Sequence, residues 1–192
     1  EEAAQHFSFA GINKAPARLD FDKLNHVNQQ HMMRIPAEKF VALYEVHRQT
    51  EGMPSLDEEQ RHRLMFSHQA IAERISKITE VTHQASYMFT QSVDVENDEL
   101  QGLINRDAFP AIANLADHMS SIIPFDEPNI MAEAKKVMTD HDLKLGKVGP
   151  TLRVLLTGQK TSPSIFQVIA CLGADITASR LKLGLARLSS LA

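Results

Sequence analysis

Apolar positions recur at spacings of three and four along most of the chain, and no convincing period-two stretch marks a half-buried strand. After Pro36, the side chains Phe40, Leu43, Tyr44 and His47 share one face, which predicts a helix begun by that proline and broken at Glu51-Gly-Met-Pro54. Ser55 and Glu58 have the spacing of a capping box. A long helix is expected from there to about Phe89, with Leu64, Ile71, Ile75, Ile78, Ala85 and Phe89 as its buried stripe. Asp107, Pro110, Pro124 and Pro128 then divide the chain into helices near 98–105, 107–122 and 127–140, and Pro110 fits only in a first turn. Gly149-Pro150 opens a further helix, within 143–158, that Gly158 closes in a left-handed conformation. Ser162-Pro163 reads as an N-cap followed by the first helical residue, with Gly173 as the stop. The last helix, 175–190, turns Leu181, Leu185 and Leu188 inward and leaves Arg180 and Arg187 for solvent or phosphate.

The expected fold is all-α, with two consecutive helical bundles. Residues 1–34 end a preceding unit, 35–97 form the first bundle and 98–192 the second, joined by the acidic connection Asp94-Val-Glu-Asn-Asp-Glu99. In the first unit, Asp20 or Asp22 starts a helix whose short apolar face is Leu24 and Val27.

Charge sharpens this picture. The net charge of −4 hides nine Lys/Arg against three acids from residue 135 onward, or +6, and 11 against 21 before it, or −10. A basic third on an acidic body is the footprint of a nucleic-acid surface or, equally, a solvated basic face. No apolar run approaches about 18 residues, so no membrane partner is expected. Glu1-Glu2-Ala3-Ala4-Gln5 is no signal peptide and reads as a cut inside a longer protein. With Cys171 as the lone cysteine, a cytoplasmic monomer without disulfides is expected, and Cys171 reads as a core residue.

Candidate chemistry is binding rather than catalysis. There is no Gly-rich phosphate loop, no His-Glu-x-x-His pair and no nucleophile elbow, and the nine histidines lack ligand spacing, so neither catalytic nor metal-ligating residues are expected. Gln159-Lys160-Thr161 is a short polar loop aimed at a helix N-terminus, with Arg153 and Lys160 close in sequence. Unpaired N–H groups and the positive end of a helix dipole suit a polyanion or the acceptor-rich edges of bases. Arg74 falls on the rim of the long stripe, about 60° from Ile71, and Arg63 about 20° further round. A rim arginine can rest its stem on the core and present its fork outward.

The run Leu152-Arg153, Leu156-Thr157-Gly158, Ser162-Pro163, Ile165-Phe166 and Leu172-Gly173 resembles, in kind and spacing, the C-terminal anticodon-binding region of bacterial glutamyl-tRNA synthetases. Pro16 to Asn28 resembles the end of that family's stem-contact domain, with His26 where the family often has Trp, and Glu73-Arg74-Ile75 matches its arginine-bearing helix, with Lys77 in place of Thr. The resemblance implies that Arg74 reads the third anticodon base, while Arg153, Ser162, Pro163 and Ile165 form the pocket for the others. Arg63, Lys160, Lys23 and Asn28 are then candidates for the tRNA backbone. It implies glutamate tRNA as the partner, no DNA, and no cofactor in this segment. ATP, glutamate and Mg belong to the catalytic domain of a parent ligase, whose two ATP-site motifs are absent from this sequence. The alternative is an all-helical protein-interaction module that binds no RNA.

Overall fold

The structure is a computed structural model and describes residues 5–6, 18–95 and 98–190. Among these residues there are helices and turns and no strands. Pro16, Ala17 and the middle of the acidic connection, Glu96-Asn97, lie outside the described residues, as does the start of the chain.

The first half comprises α1 (Phe21–Arg34), α2 (Ala37–Thr50), α3 (Glu58–Phe66), α4 (His68–Ala72), a 3₁₀ turn (Ile78–Glu80), α5 (Val81–Gln84) and a second turn at Ser86–Met88. The second half comprises α6 (Asp98–Gln101), α7 (Phe109–His118), α8 (Glu127–Asp140), α9 (Leu145–Thr157), α10 (Ile165–Leu172) and α11 (Ala174–Ser190). One cluster of buried side chains runs from Met32 through Leu64 and Ile71 to Leu155 and Leu188, so both halves share a core. Within the second half, α11 packs on α7 and α9, and α10 on α8.

Several starts lie where the punctuation puts them. Asp20 accepts from the Lys23 backbone N–H at 3.0 Å and caps α1, and Pro110 and Pro128 sit in first turns, the latter behind an Asp126 cap that was not anticipated from the sequence. Others move. The capping box is Asp57 with Gln60 rather than Ser55 with Glu58. Pro150 lies inside α9 instead of opening it. The helix after Pro163 begins at Ile165, so Ser164, not Ser162, holds the N-cap position.

The largest departure is the long helix expected to reach Phe89. It ends at Phe66 and its short continuation at Ala72, and beyond it the polar side chains of α1 and of the 66–80 segment satisfy each other's backbone. His68 Nε2 lies 2.7 Å from Met32 O and Gln69 donates to Met33 O at 2.8 Å, covering carbonyls at the end of α1. In return, Gln29 donates to Glu73 O at 2.8 Å and Asn28 to Ser76 O at 2.5 Å. Glu80 takes the Ser76 N–H at 2.9 Å and its hydroxyl at 3.1 Å, a local alternative to continuing the helix. The stripe itself survives: Leu64, Ile71, Ile75 and Ala85 are buried, though from separate short pieces. The α1 face of Leu24 and Val27 is exposed.

Candidate nucleic-acid interface

The corner made by α9, the loop 158–164 and α10 is built from the stop signal at Gly158. That residue has φ +63°, a conformation that lets the chain turn sharply out of α9. Its N–H still bonds Val154 O at 2.9 Å. The turn brings Ser162 back onto the preceding helix, where its hydroxyl accepts from Arg153 Nε at 3.0 Å and donates to Pro163 O at 2.9 Å. Ser162 is therefore a buried orienting group for the guanidinium rather than a helix cap. Arg153 is half-buried, and Nε is its one hydrogen-bonding nitrogen among the described residues. Its two Nη groups remain for a ligand. Ile165 is 7% exposed and forms an apolar wall, and Pro163 is buried beside it.

Pro163 also lines a cleft of about 140 Å³ that runs to the first half of the chain, where Phe66, Gln69 and Tyr87 form the far side and Gln167 and Glu127 the near one. Ser164 donates to Glu127 at 2.8 Å, tying the start of α10 to that of α8. Burial pushes the Tyr87 phenol well above its ordinary range, and the nearby Arg74 and Arg180 charges pull the other way. Arg74 itself is exposed just past α4, with no side-chain partner among the described residues. Arg153 and Ser162 thus come together, with Pro163 and Ile165 next in the chain, and Arg74 lies near Tyr87, which lines the same cleft as Pro163.

The remaining sequence candidates divide. Lys23 is exposed on the first turn of α1. Lys160 is exposed but pairs with Glu99 at 2.9 Å, and the same hydrogen bond holds the Glu99 carboxyl below the usual carboxylate range. Asn28 spends its amide on Ser76 O. Arg63 is 8% exposed, bonds Met88 O at 3.1 Å and pairs with Glu59, so it is a structural arginine rather than an outward fork. Arg180, expected to face solvent, is likewise buried. The basic excess of the last third is thereby reduced at the surface: Arg180 is internal, Lys160 meets Glu99, and Lys182 meets Asp117 at 2.6 Å. Gln159, in the loop expected to face a ligand, instead donates to His83 O at 2.7 Å and Ser86 Oγ at 3.1 Å.

Sequence reasoning missed Phe66, Tyr87 and Gln167. Phe66 falls off the predicted stripe, and in the structure it is 59% exposed. Cys171 is buried, its S–H directed at Arg63 O at 3.6 Å, and burial raises its thiol. A thiol so placed reacts slowly. Ellman's reagent at pH 8 should therefore modify the native chain far more slowly than the urea-unfolded one; equal rates would place Cys171 at the surface. Among the described residues, no group of three His, Cys, Asp or Glu could hold a metal ion, and no helix is long and apolar enough to cross a membrane.

Residues 37–185 match the family model described as an anticodon binding domain. The chain is 28% identical over 187 residues to glutamate–tRNA ligase 2 of Chelativorans sp. (strain BNC1), covering 95% of this chain and 39% of that protein. It is 30% identical over 182 residues to glutamate–tRNA ligase of Caulobacter vibrioides, covering 94% of this chain and 38% of that one. The fold is similar to a crystal structure of a glutamate tRNA ligase from Elizabethkingia meningosepticum, with a TM-score of 0.77 and 19% identity over 95% of this chain and 35% of that chain. The chain thus spans about two-fifths of the length of the relatives it matches.

Proposed function

Because the chain belongs to the anticodon-binding domain family, we propose that it reads the anticodon of glutamate tRNA for a longer ligase that attaches glutamate to that tRNA with ATP. The observation that carries this reading is the span of the family match. A single continuous run, 37–185, takes in both the exposed Arg74 guanidinium and the Arg153–Ser162–Pro163 corner. In this reading Arg153, aimed by the Ser162 hydroxyl, contacts the first two bases against the apolar wall of Pro163 and Ile165. Lys23 and Lys160 meet the backbone, Lys160 by exchanging Glu99 for a phosphate. ATP, glutamate and Mg act in the parent's catalytic domain, in the cytoplasm.

Arg74 takes the third base. A guanidinium offers only donors, which suit the O2 and N3 acceptors of cytosine and meet donors on the pairing edge of guanine. Replacing Arg74 by Gln should cut the preference for C over G at that position by about tenfold, within the range of a lost base contact. Binding of the anticodon stem-loop, titrated by gel shift with either base, measures it; an undiminished preference removes Arg74 from the site.

The reading as a whole is tested by the salt dependence of wild-type binding. Affinity for glutamate tRNA should fall as salt rises, with a log–log slope of about −1.4 for the two phosphate contacts of Lys23 and Lys160 on a single strand. A protein-docking module would bind no tRNA at any salt, and that outcome would replace the reading with its alternative.

A further inference from the structure

Arg180 sits in the middle of α11, only 3% exposed, and its guanidinium ends on three main-chain carbonyls from two parts of the chain. Nη1 donates to Leu156 O at 2.7 Å, one of the last carbonyls of α9, two residues before Gly158. Nη2 donates to Tyr87 O at 2.7 Å and also to Thr90 O. The carbonyls at the end of a helix carry no partner of their own and a partial negative charge, so a cation there is favoured. The Arg63 charge also acts on Arg180, and Arg63 holds Met88 O in the same segment. Burial pulls the Arg180 proton affinity down to about 10, which leaves the group charged at neutral pH. A cation buried among carbonyl dipoles is costly to keep. Its geometry accounts for its presence: it joins the end of the helix that bears Arg153 to the segment that leads back to Arg74.

We propose that Arg180 is a positioning residue for anticodon reading. It sets the spacing between the Arg74 side and the Arg153–Ser162 corner, so that one bound anticodon engages both. This rests on the functional reading above. The tie is reinforced from the loop, where Gln159 holds His83 and Ser86 of the same segment. Tyr87, whose carbonyl Arg180 grips, lines the cleft whose other wall is Pro163.

The test uses the anticodon stem-loop of glutamate tRNA and the same stem-loop with its third anticodon base changed from C to G. Arg180→Lys keeps the charge and loses the fork; Arg180→Met removes both. A purely structural role lowers the folded fraction and weakens binding of both RNAs by one common factor. A positioning role changes their ratio. The expected result is a folded Arg180→Lys chain by circular dichroism whose C-over-G preference falls about fivefold, a typical coupling for linked sites. An unchanged ratio overturns the proposal while leaving the functional reading intact. If both variants unfold, the wild-type background decides through a double-mutant cycle of Arg74→Gln and Arg153→Gln. Losses that are not additive support the tie, and additive losses overturn it. Absence of any stem-loop binding by the wild-type chain removes both the functional reading and this proposal.

Discussion

Gly158→Val is expected to lower the melting temperature by about 6–12 °C, corresponding to about 3 kcal/mol at the few degrees per kcal/mol usual for a chain of this size. Two effects add. The residue has φ +63°, where a side chain costs about 1–2 kcal/mol and a β-branched one more. A Cβ there would also come within 2.9 Å of Asp94 O and 3.3 Å of the Val93 Cβ. The first of these is backbone, which cannot swing aside, so overpacking adds about 1–3 kcal/mol. Gly158→Ala should show the smaller part of the effect. The consequence reaches function, since the loop that carries Gln159, Lys160 and Ser162 starts at this turn. Thermal unfolding followed by circular dichroism measures the shift, and a change of less than about 2 °C would mean that the 93–94 connection yields freely. Gly184 is a useful contrast. Its Cβ would meet Leu155 Cδ2 at 2.6 Å, the far end of a flexible side chain, and Ala there also gains helix propensity.

The features legible in the sequence are those whose cause lies within a few residues. Gly158, Asp20, Pro128 and Pro110 act on their own turn of backbone, and each stands at the element end its chemistry implies. The period of the apolar stripe gave the all-α class for the same reason. What was not legible depends on partners far away in the chain. The helix after Asp57 ends at Phe66 and its short continuation at Ala72, and Gln29 and Asn28 of α1, 44 and 48 residues earlier, supply amides for the freed carbonyls. A stripe of Leu64, Ile71 and Ile75 looks the same whether one helix or several short pieces deliver it to the core.

The two misread arginines have the same cause. Arg63 and Arg180 lie on helix flanks that local spacing assigns to solvent, yet their acceptors are carbonyls 25 and up to 93 residues distant. Helical periodicity ranks faces by apolarity and carries no information about which distant carbonyls need a donor. Arg153 differs only in that its acceptor, Ser162, is nine residues on. Even there, the sequence suggested a capping hydroxyl, and the fold uses that hydroxyl to aim a guanidinium.

That aiming leads to the second large effect. Arg153→Gln should weaken binding of the glutamate-tRNA stem-loop by about 30-fold, or about 2 kcal/mol, the scale of a charged hydrogen bond lost. Stability should hardly change, because Arg153 is half-buried and its one internal bond is to a hydroxyl that keeps Pro163 O as acceptor. Ser162→Ala separates holding from contact. It leaves the charge in place but releases Nε, so the fork samples more orientations before binding and must be ordered by the RNA. A loss of about threefold to fivefold is expected, close to the entropy of fixing one long side chain. If Ser162 acts only through Arg153, the double substitution costs no more than Arg153→Gln alone. A further loss in the double variant would mean that the Ser162 hydroxyl itself touches a base, and undiminished binding by Arg153→Gln would take the α9 corner out of the interface.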